Sequence, residues 1–346
     1  MDNQVLNDQD TSCSICGNST IKISRTQVFN SSKKFDWISD STFNLSNLDR
    51  ATVELRFCLS CFHSFLTPKF DTSRLYDQET GYIERKKQYE IYHPGKIYGK
   101  FNPNIGKGKT IFSGSSKELN RFKDYMNMFY QLSLRYHLTY DNFSILDWGG
   151  GDGYVSSIFA NLIKSMLYQE VNTYIYDHSD WQANNKGIVS LDQIDKKVQL
   201  IIFSHILEHT HEPLKEIKQA LDFADKNCLV LIEVPDERHN NLLALFGKKF
   251  GMHYHVTHFS RKSLSRLMNK SGIYGVKTKY NFNSSYRGQQ MHSIIGIGIA
   301  GKDNEFNSST IPFVYELLTS IFFTFRKSIE VVIRETKAYV KNFSKK

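Results

Sequence analysis

Ile145-Leu146-Asp147-Trp148-Gly149-Gly150-Gly151-Asp152-Gly153-Tyr154 is an apolar strand end that runs into Asp-x-Gly-x-Gly-x-Gly and then into a helix. Glycines suit such a turn because the chain reverses sharply between strand and helix, and a ligand can then lie against bare backbone that a Cβ would obstruct. Beyond the turn, Val155, Ile158, Phe159, Leu162, Ile163, Met166 and Leu167 recur at helical spacing, which predicts an amphipathic helix packed on a sheet. Thr173-Tyr174-Ile175-Tyr176 reads as the next strand and ends on Asp177, twenty-four residues past Gly153. A carboxylate at that strand tip can accept hydrogen bonds from both hydroxyls of a ribose, which points to a nucleoside ligand without choosing among nucleosides. The competing reading of Asp177 is a surface residue that starts a turn before His178 and Ser179.

A dinucleotide fingerprint fits poorly. In the Gly-x-Gly-x-x-Gly frame that starts at Gly149, the third glycine position holds Tyr154; in the frame from Gly151 it holds Ser156. Further along, Val198-Gln199-Leu200-Ile201-Ile202-Phe203 is a buried strand, followed by Ser204-His205-Ile206-Leu207-Glu208-His209 and Pro213. Cys228-Leu229-Val230-Leu231-Ile232-Glu233-Val234-Pro235 is a further strand, and His255-Val256-Thr257-His258-Phe259-Ser260 comes later. These motifs, in this order over roughly residues 140 to 300, resemble class I S-adenosylmethionine-dependent methyltransferases. The resemblance implies an α/β, seven-stranded Rossmann-like domain over residues 141–300. It also implies S-adenosylmethionine as cofactor, held by Asp147, Gly149, Gly151, Gly153 and Asp177, with Ser204 and His205 at the end of the fourth strand.

At the amino-terminal end, Cys13-x-x-Cys16 and Cys58-x-x-Cys61 form two pairs separated by forty-one residues. Four thiolates from two knuckles match a structural Zn2+ ion in tetrahedral coordination, and Gly17 suits the tight turn of the first knuckle. The alternative is a redox Cys-x-x-Cys, which lacks a thioredoxin-like context here; His63 could also replace one thiolate. Cys228 opens an apolar strand and reads as a small buried hydrophobe. A polar start over residues 1–10 shows no secretory signal, and zinc knuckles require reduced thiols, so the expected location is cytoplasmic.

The 346 residues divide into a zinc-ribbon-like module over residues 10–66, a Lys- and Tyr-rich helical connector over 67–140, the cofactor domain over 141–300 and a basic amphipathic helix over 301–346. In the connector, Tyr76, Tyr82, Tyr89, Tyr92 and Tyr98 lie among lysines ahead of Gly106-Lys107-Gly108-Lys109, either as a cap for an acidic substrate or as a solvated surface. Of the formal net charge of +9, the last twenty-one residues carry seven basic residues against Glu330 and Glu335. That tail can pack on the body, on a second copy in a homodimer or on an anionic membrane surface. Basic residues elsewhere are interspersed with acids, which disfavours nucleic acid as a partner.

Methyl transfer from a sulfonium needs the acceptor atom aligned behind the methyl carbon, then a base where a proton must leave. In open α/β sheets the working groups lie beyond the carboxyl ends of the strands. His255 and His258 are the candidate bases, His205 follows, and Tyr254 can orient a substrate hydroxyl. The combination of cysteine pairs, glycine turn and histidine loop is similar to the zinc-containing methyltransferases that modify nucleotide-linked deoxysugars. It implies a sugar, nucleotide-sugar or related small hydroxylated metabolite as substrate, in surface-polysaccharide synthesis. Those C-methyltransferases tend to carry Glu-His where this chain has Tyr254-His255, and they add a further α/β domain where only 46 residues follow Ala300. The choice between O- and C-transfer therefore stays open. A non-catalytic S-adenosylmethionine-binding subunit and a methyltransferase of RNA or protein are the alternative readings.

Overall fold

The computed structural model describes residues 12–27, 52–67, 116–138, 143–151, 153–167, 171–177, 194, 197–245, 255–286, 289–301 and 321. Its chain order is β1 (Ile21–Gln27), β2 (Thr52–Phe57), β3 (Ser64–Thr67), α1 (Ser116–Arg135), β4 (Phe143–Trp148), α2 (Tyr154–Leu167), β5 (Val171–Tyr176) and β6 (Val198–Ser204). A short 3-10 turn, Leu207–His209, leads to α3 (Pro213–Leu221), β7 (Ala224–Pro235), α4 (Arg238–Leu245), β8 (Thr257–His258), α5 (Arg261–Lys270), β9 (Ile273–Tyr286) and β10 (Gln289–Ala300).

The main sheet has the order β5-β4-β6-β7-β10-β9. Strands β5, β4, β6 and β7 run parallel, and β10 lies antiparallel to both β7 and β9. Six strands stand among the described residues where seven are expected, and 178–193, between β5 and β6, lie outside them. Parallel strands buried on both faces read as continuous apolar runs, as β6 and the second half of β7 do, and alternate residues feed opposite layers. Leu200, Ile202, Leu229 and Leu231 pack with Phe122, Phe129 and Leu132 of α1 and Val155, Phe159 and Ile163 of α2. Ile201, Phe203, Val230 and Ile232 face the other way, toward Ile217 and Ala220 of α3 and Leu264, Leu267 and Met268 of α5.

The cysteine-bearing segment belongs to that second layer. Cys13, Ile15, Cys58 and Cys61 sit in the same apolar cluster as Leu264 and Met268. A second sheet, β1-β2-β3-β8, joins them to the segment between α4 and α5, since Ser64 and Phe65 of β3 pair with His258 and Thr257 of β8. The boundary expected at residue 66 is thus bridged by a shared sheet. Arg266 donates to the Ser60 hydroxyl at 3.0 Å, and Ser260 to the Cys61 carbonyl at 3.0 Å. Ser260 also caps α5 reciprocally with Ser263, its side chain accepting from the Ser263 amide while the Ser263 hydroxyl accepts from its own. The serine of the His-Phe-Ser run therefore starts a helix and grips a cysteine knuckle at once.

Tyr76 to Tyr98 and the Gly106–Lys109 run of the connector lie outside the described residues, as does the tail helix apart from Ile321. Among the described residues no helix is long and apolar enough to cross a membrane.

The passage from β4 to α2 requires glycine most clearly at Gly153, which has φ +70° and whose added Cβ would come within 2.3 Å of the Ile175 Cδ1. We expect Gly153→Ala to cost about 1–3 kcal/mol through left-handed strain and overpacking. Urea denaturation of the two proteins reads this as a lower midpoint at an unchanged slope.

Candidate active site

Three groups of side chains converge at the carboxyl ends of the parallel strands. The first is the glycine turn. Gly149, Gly151 and Gly153 all have positive φ, and the Gly149 amide donates to the Tyr176 carbonyl at the end of β5 at 2.7 Å. Asp177 is mostly buried and accepts from the Gly151 amide at 2.8 Å, so the strand-tip carboxylate and the turn fix each other. Asp147 is 1% exposed and accepts from the Ser156 amide in the first turn of α2, at 3.3 Å. Its contact is with the backbone that shapes the loop. An acid at a helix amino terminus is favoured by the dipole.

The second group surrounds Glu233 near the end of β7. Arg121 of α1 meets the Glu233 carboxylate with Nε and Nη2, and Tyr125 donates its hydroxyl to the same carboxylate. Ser293 of β10 donates to Glu233 Oε1 at 2.7 Å, and Arg121 Nη2 also reaches the Ser204 hydroxyl at 2.9 Å. Arg121 and Glu233 are each 1% exposed. Burial alone would raise the Glu233 pKa, but the charges of Arg121 and His205 outweigh it and hold the carboxyl far below its usual range.

His205 stands next to this cluster with φ +57°, its amide donating to the Glu233 carbonyl and its Nδ1 3.2 Å from Glu208 Oε1. Burial works against the imidazolium, yet the carboxylates of Glu233 and Glu208 raise its pKa to about 9. At neutral pH His205 is a cation that donates hydrogen bonds and is poorly suited to take a proton.

The third group is the histidine face. His255 Nδ1 lies 2.8 Å from Glu237 Oε1, and the His209 and His255 ring centres are 5.1 Å apart. Burial disfavours the His255 cation, while the bond to Glu237 and the charges around it raise its pKa on balance. His258 is 1% exposed, with Nδ1 against Asn241 Oδ1 at 2.9 Å and Nε2 against the His255 carbonyl at 3.1 Å. That ring braces β8 against α4, with both nitrogens engaged inside the protein. His255 is the one of the two candidate bases that retains a partly exposed side chain. Tyr254 lies outside the described residues.

Apart from these groups, the Sγ atoms of Cys13, Cys16, Cys58 and Cys61 all lie within 4.8 Å of one another, with Cys13 to Cys61 at 3.6 Å and Cys16 to Cys58 at 3.4 Å. Tetrahedral zinc–thiolate bonds of about 2.3 Å set sulfurs a little under 4 Å apart, so the donor set fits one such ion. The two knuckles match: the amide of Gly17 donates to the Cys13 carbonyl and that of Phe62 to the Cys58 carbonyl, both at 2.8 Å, and both residues have positive φ. His63 is fully buried with Nδ1 3.5 Å from Cys13 Sγ, beside the four sulfurs.

Sequence reading reached the turn, Asp177, the serine-histidine segment and Glu233, but missed Arg121, Tyr125, Ser293 and Glu237. Arg121 and Tyr125 are four apart and share the apolar stripe of Phe122, Phe129 and Leu132. An arginine on that face was the available signal, because a charge on a core stripe needs a buried partner.

A family model described as a methyltransferase domain matches residues 112–278. A search of curated proteins found no match. Solved structures with similar folds include magnesium protoporphyrin IX methyltransferase from Synechocystis PCC 6803 with bound S-adenosylhomocysteine, at 16% identity over 46% of this chain and 75% of that one, with TM-score 0.33. Another is a methyltransferase dependent on S-adenosylmethionine from Archaeoglobus fulgidus, at 15% identity, 50% and 93% coverage and TM-score 0.32. The DszA carbon methyltransferase gives 10% identity, 55% and 56% coverage and TM-score 0.38. Likenesses this distant carry no weight for substrate. The family match supports a methyltransferase domain over residues 112–278.

Removing one partner of a buried ion pair leaves the other charge stranded, at about 3–5 kcal/mol. Arg121→Ala is therefore expected to lower the thermal midpoint markedly, and Arg121→Ala combined with Glu233→Gln to recover part of the loss. A thermal-melt double-mutant cycle measures that coupling.

Proposed function

We propose that the protein transfers a methyl group from S-adenosylmethionine to a sugar, nucleotide-sugar or related small hydroxylated metabolite, in surface-polysaccharide synthesis. The observation that carries the cofactor half is the interlock of Asp177 with the glycine turn, because the Gly151 amide occupies Asp177 Oδ2 while the turn keeps the conformation a nucleoside can approach. In this reading Asp177 accepts from the ribose hydroxyls, Gly149, Gly151 and Gly153 give backbone room, and Asp147 shapes the loop from behind. Ser204 and the His205 cation line the end of β6 on the cofactor side.

The acceptor lies toward Glu208, His209 and His255, with Tyr254 orienting its hydroxyl. The new bond joins the acceptor atom to the methyl carbon as the carbon–sulfur bond breaks, leaving S-adenosylhomocysteine. His255, oriented by Glu237, takes the proton that the acceptor gives up. The sugar class rests on the resemblance noted for the cysteine pairs, glycine turn and histidine loop together. His258 acts from behind, fixing the loop that holds His255.

The cysteine cluster holds a structural Zn2+ in this proposal. The ion fixes β3, β3 pairs with β8, and β8 carries the backbone that ends in His255. A cytoplasmic location agrees with four reduced thiolates. Contact of the 301–346 tail with a membrane surface or a second copy belongs to the same proposal and rests on its sequence alone.

Calorimetry with S-adenosylmethionine tests the cofactor half. Wild-type protein should bind it, Asp177→Ala should weaken binding by roughly tenfold or more through lost ribose hydrogen bonds, and NAD should give no heat. Formation of S-adenosylhomocysteine with a panel of nucleotide-sugars should follow; turnover only with RNA or protein would replace the acceptor class, and binding without turnover on any acceptor would leave a cofactor-binding subunit. Cys58→Ser should lower bound zinc, measured by elemental analysis, and the thermal midpoint with it.

A further inference from the structure

We propose that Glu208, His209 and His255 form a second metal site, distinct from the cysteine cluster, that takes a divalent transition-metal ion at the acceptor side of the cofactor domain. One potential ligand atom from each of the three lies within 4.8 Å of the other two. Two imidazoles and a carboxylate are a donor set used for zinc, cobalt, manganese and ferrous ions, with positions left over for oxygen ligands.

Two further observations point to an ion. The first is the outer partner of His255. Its Nδ1 is 2.8 Å from Glu237 Oε1, a carboxylate that orients the ring. A ligating histidine is commonly held in this way by a carboxylate on its other nitrogen. The second is Glu208. This carboxylate is 1% exposed, and its Oε2 has no hydrogen-bond partner among the described residues. Its Oε1 is taken up by His205 Nδ1 at 3.2 Å and lies 3.8 Å from His209 Nε2. A buried carboxylate oxygen left without a donor is costly, and a cation satisfies it. His209 and His255 are 22% and 24% exposed at their side chains, so the face is reachable from solvent while the acid beneath is not.

The backbone is arranged for the same purpose. Glu208 and His209 lie in the 3-10 turn after β6, and the Val256 amide donates to the Glu208 carbonyl at 2.8 Å, tying the loop of His255 to the segment that carries the other two ligands. Thr257 adds a second tie to the Thr210 carbonyl at 2.7 Å.

The consequence for the acceptor rests on the proposed function. An ion here would bind the acceptor oxygen in an open position and acidify its hydroxyl, so that the proton passes to solvent and His255 serves as ligand in place of base. Both roles fall on the same ring, and a metal measurement that needs no turnover separates them.

The test is a titration of zinc-loaded, full-length protein with Co2+, followed by calorimetry and visible absorption. One equivalent is expected to bind, with cobalt bands lacking the intense thiolate charge-transfer absorption that displacement into the cysteine cluster would produce. His209→Ala and His255→Ala should each abolish that equivalent, and Glu237→Gln should weaken it by roughly tenfold, the usual size of an outer-partner effect. Circular dichroism and S-adenosylmethionine binding verify that the variants are folded. No cobalt uptake, thiolate bands alone, or uptake unchanged in both histidine variants would overturn the site. Loss of S-adenosylmethionine binding in the wild type would instead overturn the functional reading while leaving the cobalt result standing.

Discussion

Glu233 is a carboxylate placed where water does not reach, near the end of β7 in the middle of the sheet. It is held there by Arg121 and Tyr125 from α1 and by Ser293 from β10, while its backbone carbonyl receives the His205 amide. One side chain thus binds together a helix from before the cofactor domain, an antiparallel strand from its end and the turn after β6. Each bond alone is a modest net contribution, but leaving this charge without them is not modest. The positions of Ser204 and His205, and through His205 that of Glu208, follow from it. The arrangement also explains how a residue in the left-handed region at His205 persists without being glycine: its amide is held by the Glu233 backbone carbonyl and its ring by the carboxylates of Glu208 and Glu233.

The cysteine knuckles act on the opposite flank by a different route. From Cys61, β3 leads directly into pairing with β8, and Leu66 donates to the Val256 carbonyl at 2.9 Å. Ser260 and Arg266 extend the grip from the knuckle into α5. A short two-residue strand has little stability of its own. It keeps its place because a cysteine knuckle is on one side and a capped helix on the other.

The sequence carried the fold well where physics is local. The glycine turn, the apolar runs of β6 and β7 and the stripe of α2 each follow from steric or burial rules that act within a dozen residues, and the strand ending at Asp177 follows from the same kind of rule. Cysteine spacing likewise specifies each tight knuckle within five residues, as the Gly17 and Phe62 turns show. What stayed hidden is contact across long chain separations. Arg121 meets Glu233 across 112 positions, and no periodicity in either segment encodes that pairing. His258 misled in the opposite direction: a histidine in a histidine-rich loop looks chemically available, and only its burial between Asn241 and the His255 carbonyl makes it a brace. The sheet that ties the 10–66 module to the later chain was hidden for the same reason, since Ser64 of β3 pairs with His258, 194 residues away.

These two flanks divide the chemistry. On the Glu233 side the charges are already neutralised inside the protein: arginine, tyrosine and the His205 cation leave that acid no capacity to accept a proton near neutrality. On the Glu208 and His255 side the accounts are less complete, because one buried carboxylate oxygen of Glu208 lacks a donor among the described residues and lies beside an imidazole oriented by Glu237. The proposed methyl acceptor needs a group that can change its bonding as the reaction proceeds, and a carboxylate held by three donors supplies that only by breaking those bonds. The proposed reading therefore sets the acceptor at the histidine face, with the Glu233 cluster as the rigid, charge-paired floor beside it.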